Sequence, residues 1–354
     1  MGVYKNVLFI ILIPVFLVLL SSCKPSQSLL NPNPIDSLSA SLSTYLSSSP
    51  VTLNEVKASF YKGIKYGEAS DNVFDIFIPS SGKPSSLVLY IHGGGFVAGD
   101  KTIAYQGEGN AKMISSYLSK NIAFASINYR LLKPKNTEGV LMCLNDSKRA
   151  LQYIRYHSKS LNIDKSKVVL MGGSAGAGTS LWLAFNDELA EKNSPDLISR
   201  ESTRVKGVVA FNPQATYDLS LWIPVVFNSF LSKGFNENAL EKIAKKDKIA
   251  DFYGLDLGEP IFTSAAFKSY AKKVDMLALM SDDDPEIYIE MGSIKNKVPV
   301  SAVEINHHPL QGKALMEQAE KKNLKAKFSI PELDINTTGG EKKDEFVYRL
   351  IGDK

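Results

Sequence analysis

Six stretches of this chain are short, apolar and rich in β-branched residues, and polar, helix-like segments separate them. "SLVLYIHG" (86–93), "NIAFASINY" (121–129), "KVVLMGG" (167–173) and "VKGVVAFN" (205–212) are nearly continuous in apolar residues. That pattern belongs to strands covered on both faces, as in a parallel sheet. "EIYIEMG" (286–292) and "KAKFSI" (325–330) resume it further on, whereas "NVFDIFIPS" (72–80) alternates and predicts an edge strand over Val73 to Ile78. Between the strands, "DSKRALQYIRYHSKSL" (146–161) places Ala150, Leu151 and Ile154 on one helical face, with Asp146 expected as its cap. The alternation of strand and helix predicts an α/β fold with a mostly parallel, doubly wound sheet.

Two regions break this rhythm. Residues 217–273 hold helical segments such as "ENALEKIAKKDKIADFYG" and the exposed-looking aromatics Trp222, Phe227 and Phe230. An excursion of this kind is expected to lie as a helical cap over the carboxyl ends of the strands. At the other extreme, "VLFIILIPVFLVLL" (7–20) is an unbroken apolar run of 14 residues behind Lys5. At ~1.5 Å per residue it falls short of the roughly 30 Å hydrocarbon core and reads as the h-region of a signal peptide. "LSSC" (20–23) closes it and resembles the lipobox of bacterial lipoproteins, which implies a signal peptide over 1–22 and membrane attachment through lipidated Cys23. The Ser-, Pro- and Asn-rich stretch 23–50 is expected to be a disordered tether, so the folded domain would span 51–354.

Charge narrows the function further. The 41 basic and 37 acidic residues give a net +4 without long runs, which is a solvated surface and not a nucleic-acid footprint. Of two cysteines, Cys23 is assigned to lipid, so no internal disulfide is expected, and Cys143 should pack as a small buried hydrophobe. "SDDDP" (281–285) lacks the glycine and distal glutamate of a calcium loop and is expected to be a turn, with no metal site.

The chemistry centres on two glycine-rich motifs. Gly172-Gly173-Ser174-Ala175-Gly176 has the G-x-S-x-G form between a strand and a helix, where small flanking residues let a sharp turn expose the serine hydroxyl. "HGGGF" (92–96) follows the strand 86–91, and its consecutive glycines allow backbone N–H groups to converge. The amides of Gly93 and Gly94, with that of Ala175, could hold a developing oxyanion.

With "NYRL" (128–131) and the helix at Asp146, these residues resemble the α/β-hydrolase superfamily, and within it the hormone-sensitive-lipase-like carboxylesterases, over roughly residues 60–215. The resemblance implies an α/β-hydrolase fold and a serine carboxylic-ester hydrolase without a cofactor. Ser174 would be the nucleophile, Gly93, Gly94 and Ala175 the oxyanion donors, and His92 structural. Short acyl or acetyl esters, including those on glycans, are the implied substrates.

The chain departs from that family's pattern at the other two triad members. "SIKNKVP" (293–299), after the seventh strand, has no acid, and "PELDINTTGGEKKDEF" (331–346), after the last, has no histidine. The only histidines after Ser174 are His307 and His308, just before a helix that Pro309 would start. Either could reach Ser174 from the carboxyl edge of the sheet, with Asp334, Glu332 or Glu341 orienting it, in a triad whose acid and histidine loops are exchanged. His157 is a weaker candidate, since its helix precedes the Ser174 strand. A second expectation stays beside the first: a hydrolase-fold lipoprotein that has lost catalysis and serves as a binding module, favoured by the missing partners. An envelope scaffold is a third, supported by the tether alone.

Overall fold

The computed structural model describes residue 1 and residues 34–353, except 54 and 257–260. Ten strands form a single sheet: β1 (Leu46–Ser47), β2 (Ala58–Lys65), β3 (Val73–Pro79), β4 (Ser85–Ile91), β5 (Ile122–Ile127), β6 (Ile163–Gly173), β7 (Gly207–Phe211), β8 (Glu286–Glu290), β9 (Ala326–Ile330) and β10 (Ile335–Asn336). Their order is β1-β2-β3-β5-β4-β6-β7-β8-β9-β10. The central run from β5 to β9 is parallel, and β1, β2, β3 and β10 are antiparallel to their neighbours.

The described helices include α1 (Pro34–Ser41), α2 (Glu108–Ser119), α3 (Val140–Tyr156), α4 (Ala175–Phe185), α5 (Glu237–Ala244), α6 (Lys246–Tyr253), α7 (Ala265–Ala271), α8 (Met276–Leu279), α9 (Ala302–Asn306), α10 (Pro309–Lys322) and α11 (Lys343–Ile351). Side chains of successive strand residues point to opposite faces, and both faces are apolar. Val88, Phe124, Val169 and Val209 pack with Tyr117 of α2 and Phe346 of α11. Leu87, Leu89, Leu170 and Val208 join the larger core with Leu151 of α3, Leu181 of α4 and Leu315 of α10. Burial on both faces accounts for the continuous apolar runs in the sequence.

Four expectations are corrected here. β3 is interior, paired with β2 and β5, because the unforeseen strand β2 lies outside it. The stretch expected as a tether is folded from residue 34 onward: α1 inserts Leu38 into the core and β1 pairs with β2. Cys23 and the apolar run before it lie outside the described residues. Asp146 does not cap its helix, which begins at Val140; it is buried within it and takes a bidentate bond from Arg130. Trp222, Phe227 and Phe230 are not exposed but buried, each packed into the larger core cluster.

Candidate active site

Register places the site. Ile91 pairs with Gly172, Gly173 with Phe211, and Phe211 with Glu290, so β4, β6, β7 and β8 end side by side. Their following loops share one edge, as ligand-binding loops do in open α/β sheets.

Ser174 occupies the turn between β6 and α4 at φ 51°, ψ −119°, a backbone region that L-residues rarely adopt. The turn is held by the Ser174 amide donating to the Phe211 carbonyl (2.8 Å) and by Gly178 N–H donating to the Ser174 carbonyl (3.0 Å). Glycine is required beside it. A Cβ on Gly176 would collide with the Ile91 and His92 carbonyls, and one on Gly172 with the Gly176 backbone. The elbow therefore rests directly on the end of β4.

From that strand end the 92–96 loop folds onto the elbow. A Cβ on Gly93 would lie 2.7 Å from the Gly173 carbonyl oxygen and 3.3 Å from Ser174 Cβ, so this backbone is in contact with the Ser174 turn. Gly94 and Gly95 have φ of 106° and 61°. Gly94 turns its carbonyl to the amides of Val97 and Ala98 (both 3.1 Å). Among the described residues no acceptor takes the N–H of Gly93 or Gly94, and Ala175, the first residue of α4, has no intrahelical acceptor either. These are the three amides assigned to an oxyanion from the sequence.

The "NYR" segment braces this loop. Tyr129 stacks on His92 (4.3 Å between ring centres) and donates its hydroxyl to the His92 carbonyl (2.8 Å). Asn128 donates to Asp100 (2.8 Å), and Arg130 donates to Asp146 from Nε and a terminal nitrogen (2.9 and 2.7 Å). His92 itself is buried, bonds the Gly93 carbonyl through Nδ1 (2.7 Å) and makes no side-chain hydrogen bond to Ser174 among the described residues.

The adjacent histidines have separate fates. His307 ends α9, and its Nε2 lies 2.7 Å from Ser174 Oγ. Burial holds its pKa below the ordinary histidine value, so the neutral ring offers a lone pair to the serine proton. His308 is corrected: it caps α10. Its Nδ1 accepts the Leu310 amide (3.2 Å) and its Nε2 bonds the Lys297 carbonyl (3.0 Å). Phe227 and Phe230 meet that ring edge-on at 5.3 and 5.6 Å, and it is fully buried.

Asp334 is likewise corrected. It is exposed, sits at φ 54° in the bend before β10, and makes no side-chain bond to His307. Glu332 pairs with Lys295 (2.9 Å), and Glu341 with Arg349 (2.7 Å) and Lys327 (3.2 Å). Among the described residues no carboxylate bonds the His307 ring, and burial alone accounts for its shift. His157 is buried at the end of α3, where burial lowers its pKa to about 4. Asp283 and Asp284 of the acidic turn are engaged by Arg204.

A cavity of about 300 Å³ opens at Ser174. Phe96, Tyr217, Trp222, Ile249 and Phe252 make it apolar, and Gln214 and Asn306 add polar atoms. Lining residues between Tyr217 and Phe252 come from the region expected as a cap, so that region shapes the space beside the serine. Tyr217 escaped the sequence reading, although it donates its hydroxyl to the Ala175 carbonyl (2.8 Å) under the elbow. Only its place just after a strand end hinted at such a position.

The fold is that of an α/β-hydrolase. It superposes on a bifunctional GH43-CE protein of Bacteroides eggerthii with a TM-score of 0.55 at 19% identity, covering 83% of this chain and 38% of that one. A truncated form of a carbohydrate esterase from gut microbiota gives 0.54 at 19% identity, covering 78% and 88%. In sequence, the chain is similar to a probable isoprenylcysteine alpha-carbonyl methylesterase of Arabidopsis thaliana, ICMEL1, 24% identical over 146 residues, which are 41% of this chain and 29% of that relative. Residues 74–307, which take in both glycine loops, Ser174 and His307, match the family model described as BD-FAE, and the chain belongs to that family.

Proposed function

We propose that this protein is a serine ester hydrolase acting on a small acyl or acetyl ester, carried by a small molecule or a glycan, outside the cytoplasm. The observation that carries the reading is the 2.7 Å contact between Ser174 Oγ and His307 Nε2, beside the glycine amides at the mouth of an apolar cavity. As Oγ attacks the ester carbonyl carbon, its proton passes to His307 Nε2, and the carbonyl oxygen takes the negative charge. The amides of Gly93, Gly94 and Ala175 donate to that oxygen. His307 then returns the proton to the departing alkoxide, leaving an acyl group on Ser174. Water then gives a proton to His307 as its oxygen attacks the acyl carbon, and the bond from that carbon to Ser174 Oγ breaks as His307 returns the proton to Oγ, releasing the acid. No step calls for a metal or an organic cofactor.

The carbohydrate-esterase and methylesterase relatives support ester substrates of this kind. "LSSC" supports attachment of the mature chain to the bacterial envelope through lipidated Cys23, testable by release of a Cys23→Ser variant from the membrane fraction. Among the described residues no helix is long and apolar enough to cross a membrane.

A binding module remains the rival, favoured by the lack, among the described residues, of a carboxylate on His307. A fluorophosphonate probe and a chromogenic acetyl or butyryl ester separate the two. Labelling and turnover abolished by Ser174→Ala and by His307→Ala support hydrolysis. An unlabelled wild type that still retains a glycan ester would transfer the case to the rival.

A further inference from the structure

With no acid on its ring among the described residues, His307 must be aimed by something else. The corner that carries it is gripped from the backbone side by two buried glutamines. Gln311, fully buried in the first turn of α10, donates Nε2–H to the Ile305 carbonyl (3.1 Å) and accepts the Ala215 amide at Oε1 (2.9 Å). Gln214, also buried, donates to the Asn306 carbonyl (3.0 Å). Both carbonyls belong to the last turn of α9, where a helix supplies no donor of its own. The partners of this clamp lie in the segment following β7, and Phe211, at the end of that strand, accepts the Ser174 amide. One short segment, 211–215, thus holds the nucleophile's turn on one side and the histidine's corner on the other.

We propose that Gln311 and Gln214 are positioning residues that aim His307 Nε2 at Ser174 Oγ through the backbone, in place of a carboxylate on Nδ1. The proposal rests on the Ser174–His307 reading above. An acid both orients an imidazole and stabilises its charged form; two neutral amides do only the first. Gln214 also lines the cavity, whereas Gln311 does not, so Gln311 is the cleaner probe.

The test uses the full chain with Gln311→Met and Gln214→Met, which keep side-chain length and remove the amide. Fluorophosphonate labelling rates are measured across pH, with kcat and KM on a butyryl ester, well below each variant's melting temperature. Misaiming by a fraction of an ångström to one ångström should slow labelling and kcat about 10- to 100-fold while KM holds. The pH midpoint for labelling should also rise toward that of a solvated histidine as water reaches the loosened ring. A general loss of stability would not move that midpoint in the folded fraction. Wild-type rate and midpoint in folded Gln311→Met overturn the proposal. Should Gln311→Met not fold, the same result in Gln214→Met overturns it. Labelling lost in His307→Ala but intact in both glutamine variants removes this inference alone, whereas an inert wild type removes the hydrolytic reading and this one with it.

Discussion

Replacing each of two neighbouring histidines by alanine should have opposite consequences. His308 is wholly enclosed; its ring packs against Phe227 and Phe230 and satisfies the Leu310 amide and the Lys297 carbonyl. Emptying a buried site of that size costs about 2–5 kcal/mol, and losing a helix cap about 1 kcal/mol more. Taking ~4 kcal/mol, and roughly 2–4 °C per kcal/mol for a large domain, His308→Ala should melt on the order of 10 °C lower. Its labelling rate, measured while it is folded, should stay close to wild type. His307 is only partly buried and, among the described residues, has a single side-chain hydrogen bond, to Ser174. Its loss should cost about 1 kcal/mol of stability but lower labelling about 10²- to 10⁴-fold, the usual contribution of a general base. Thermal unfolding by circular dichroism and time-resolved fluorophosphonate labelling give the two axes. A folded His308→Ala that fails to label, or a His307→Ala that labels normally, would refute the assignment.

Three further outcomes follow from the same geometry. His307 acts as a base only when neutral, and burial lowers its pKa, so kcat/KM should rise through a midpoint below about 6.5 and then level; a midpoint above that value contradicts the buried ring. Gly94→Ala places a Cβ against the Ala98 carbonyl at a φ of 106°, and should cut kcat on the order of 10²- to 10³-fold by displacing an oxyanion amide; an unchanged kcat would exclude that amide from the reaction. Asp146→Ala removes the bonds from Arg130 and Asn72, leaving Arg130 to Glu138 and solvent, and should cost about 2 kcal/mol in urea unfolding; a change below the error of the titration would show the network to be ornamental.

Sequence alone located the central parallel strands and the two glycine turns, though it misplaced the start of α3 and passed over α1 and β2. Apolar runs bounded by glycines marked the parallel strands, because a strand buried on both faces needs apolar residues at every position. The two glycine motifs marked the elbow and its facing loop, because close backbone approach excludes a Cβ at Gly172, Gly176 and Gly94. Strand order was not legible: β2 turned an expected edge strand into an interior one, and α1 recruited part of the expected tether through Leu38.

Tertiary structure decided between the histidines. Residues 307 and 308 are adjacent and chemically identical, yet the corner between α9 and α10 turns one ring toward Ser174 and the other into the core beneath Phe227. It also emptied the acid's place, since Asp334, Glu332 and Glu341 lie on a loop whose side chains face solvent or lysine and arginine. Which way a side chain points at a helix corner is fixed by what packs on both sides of it, and those partners, Gln214 and Gln311 among them, are remote from Ser174 in the chain.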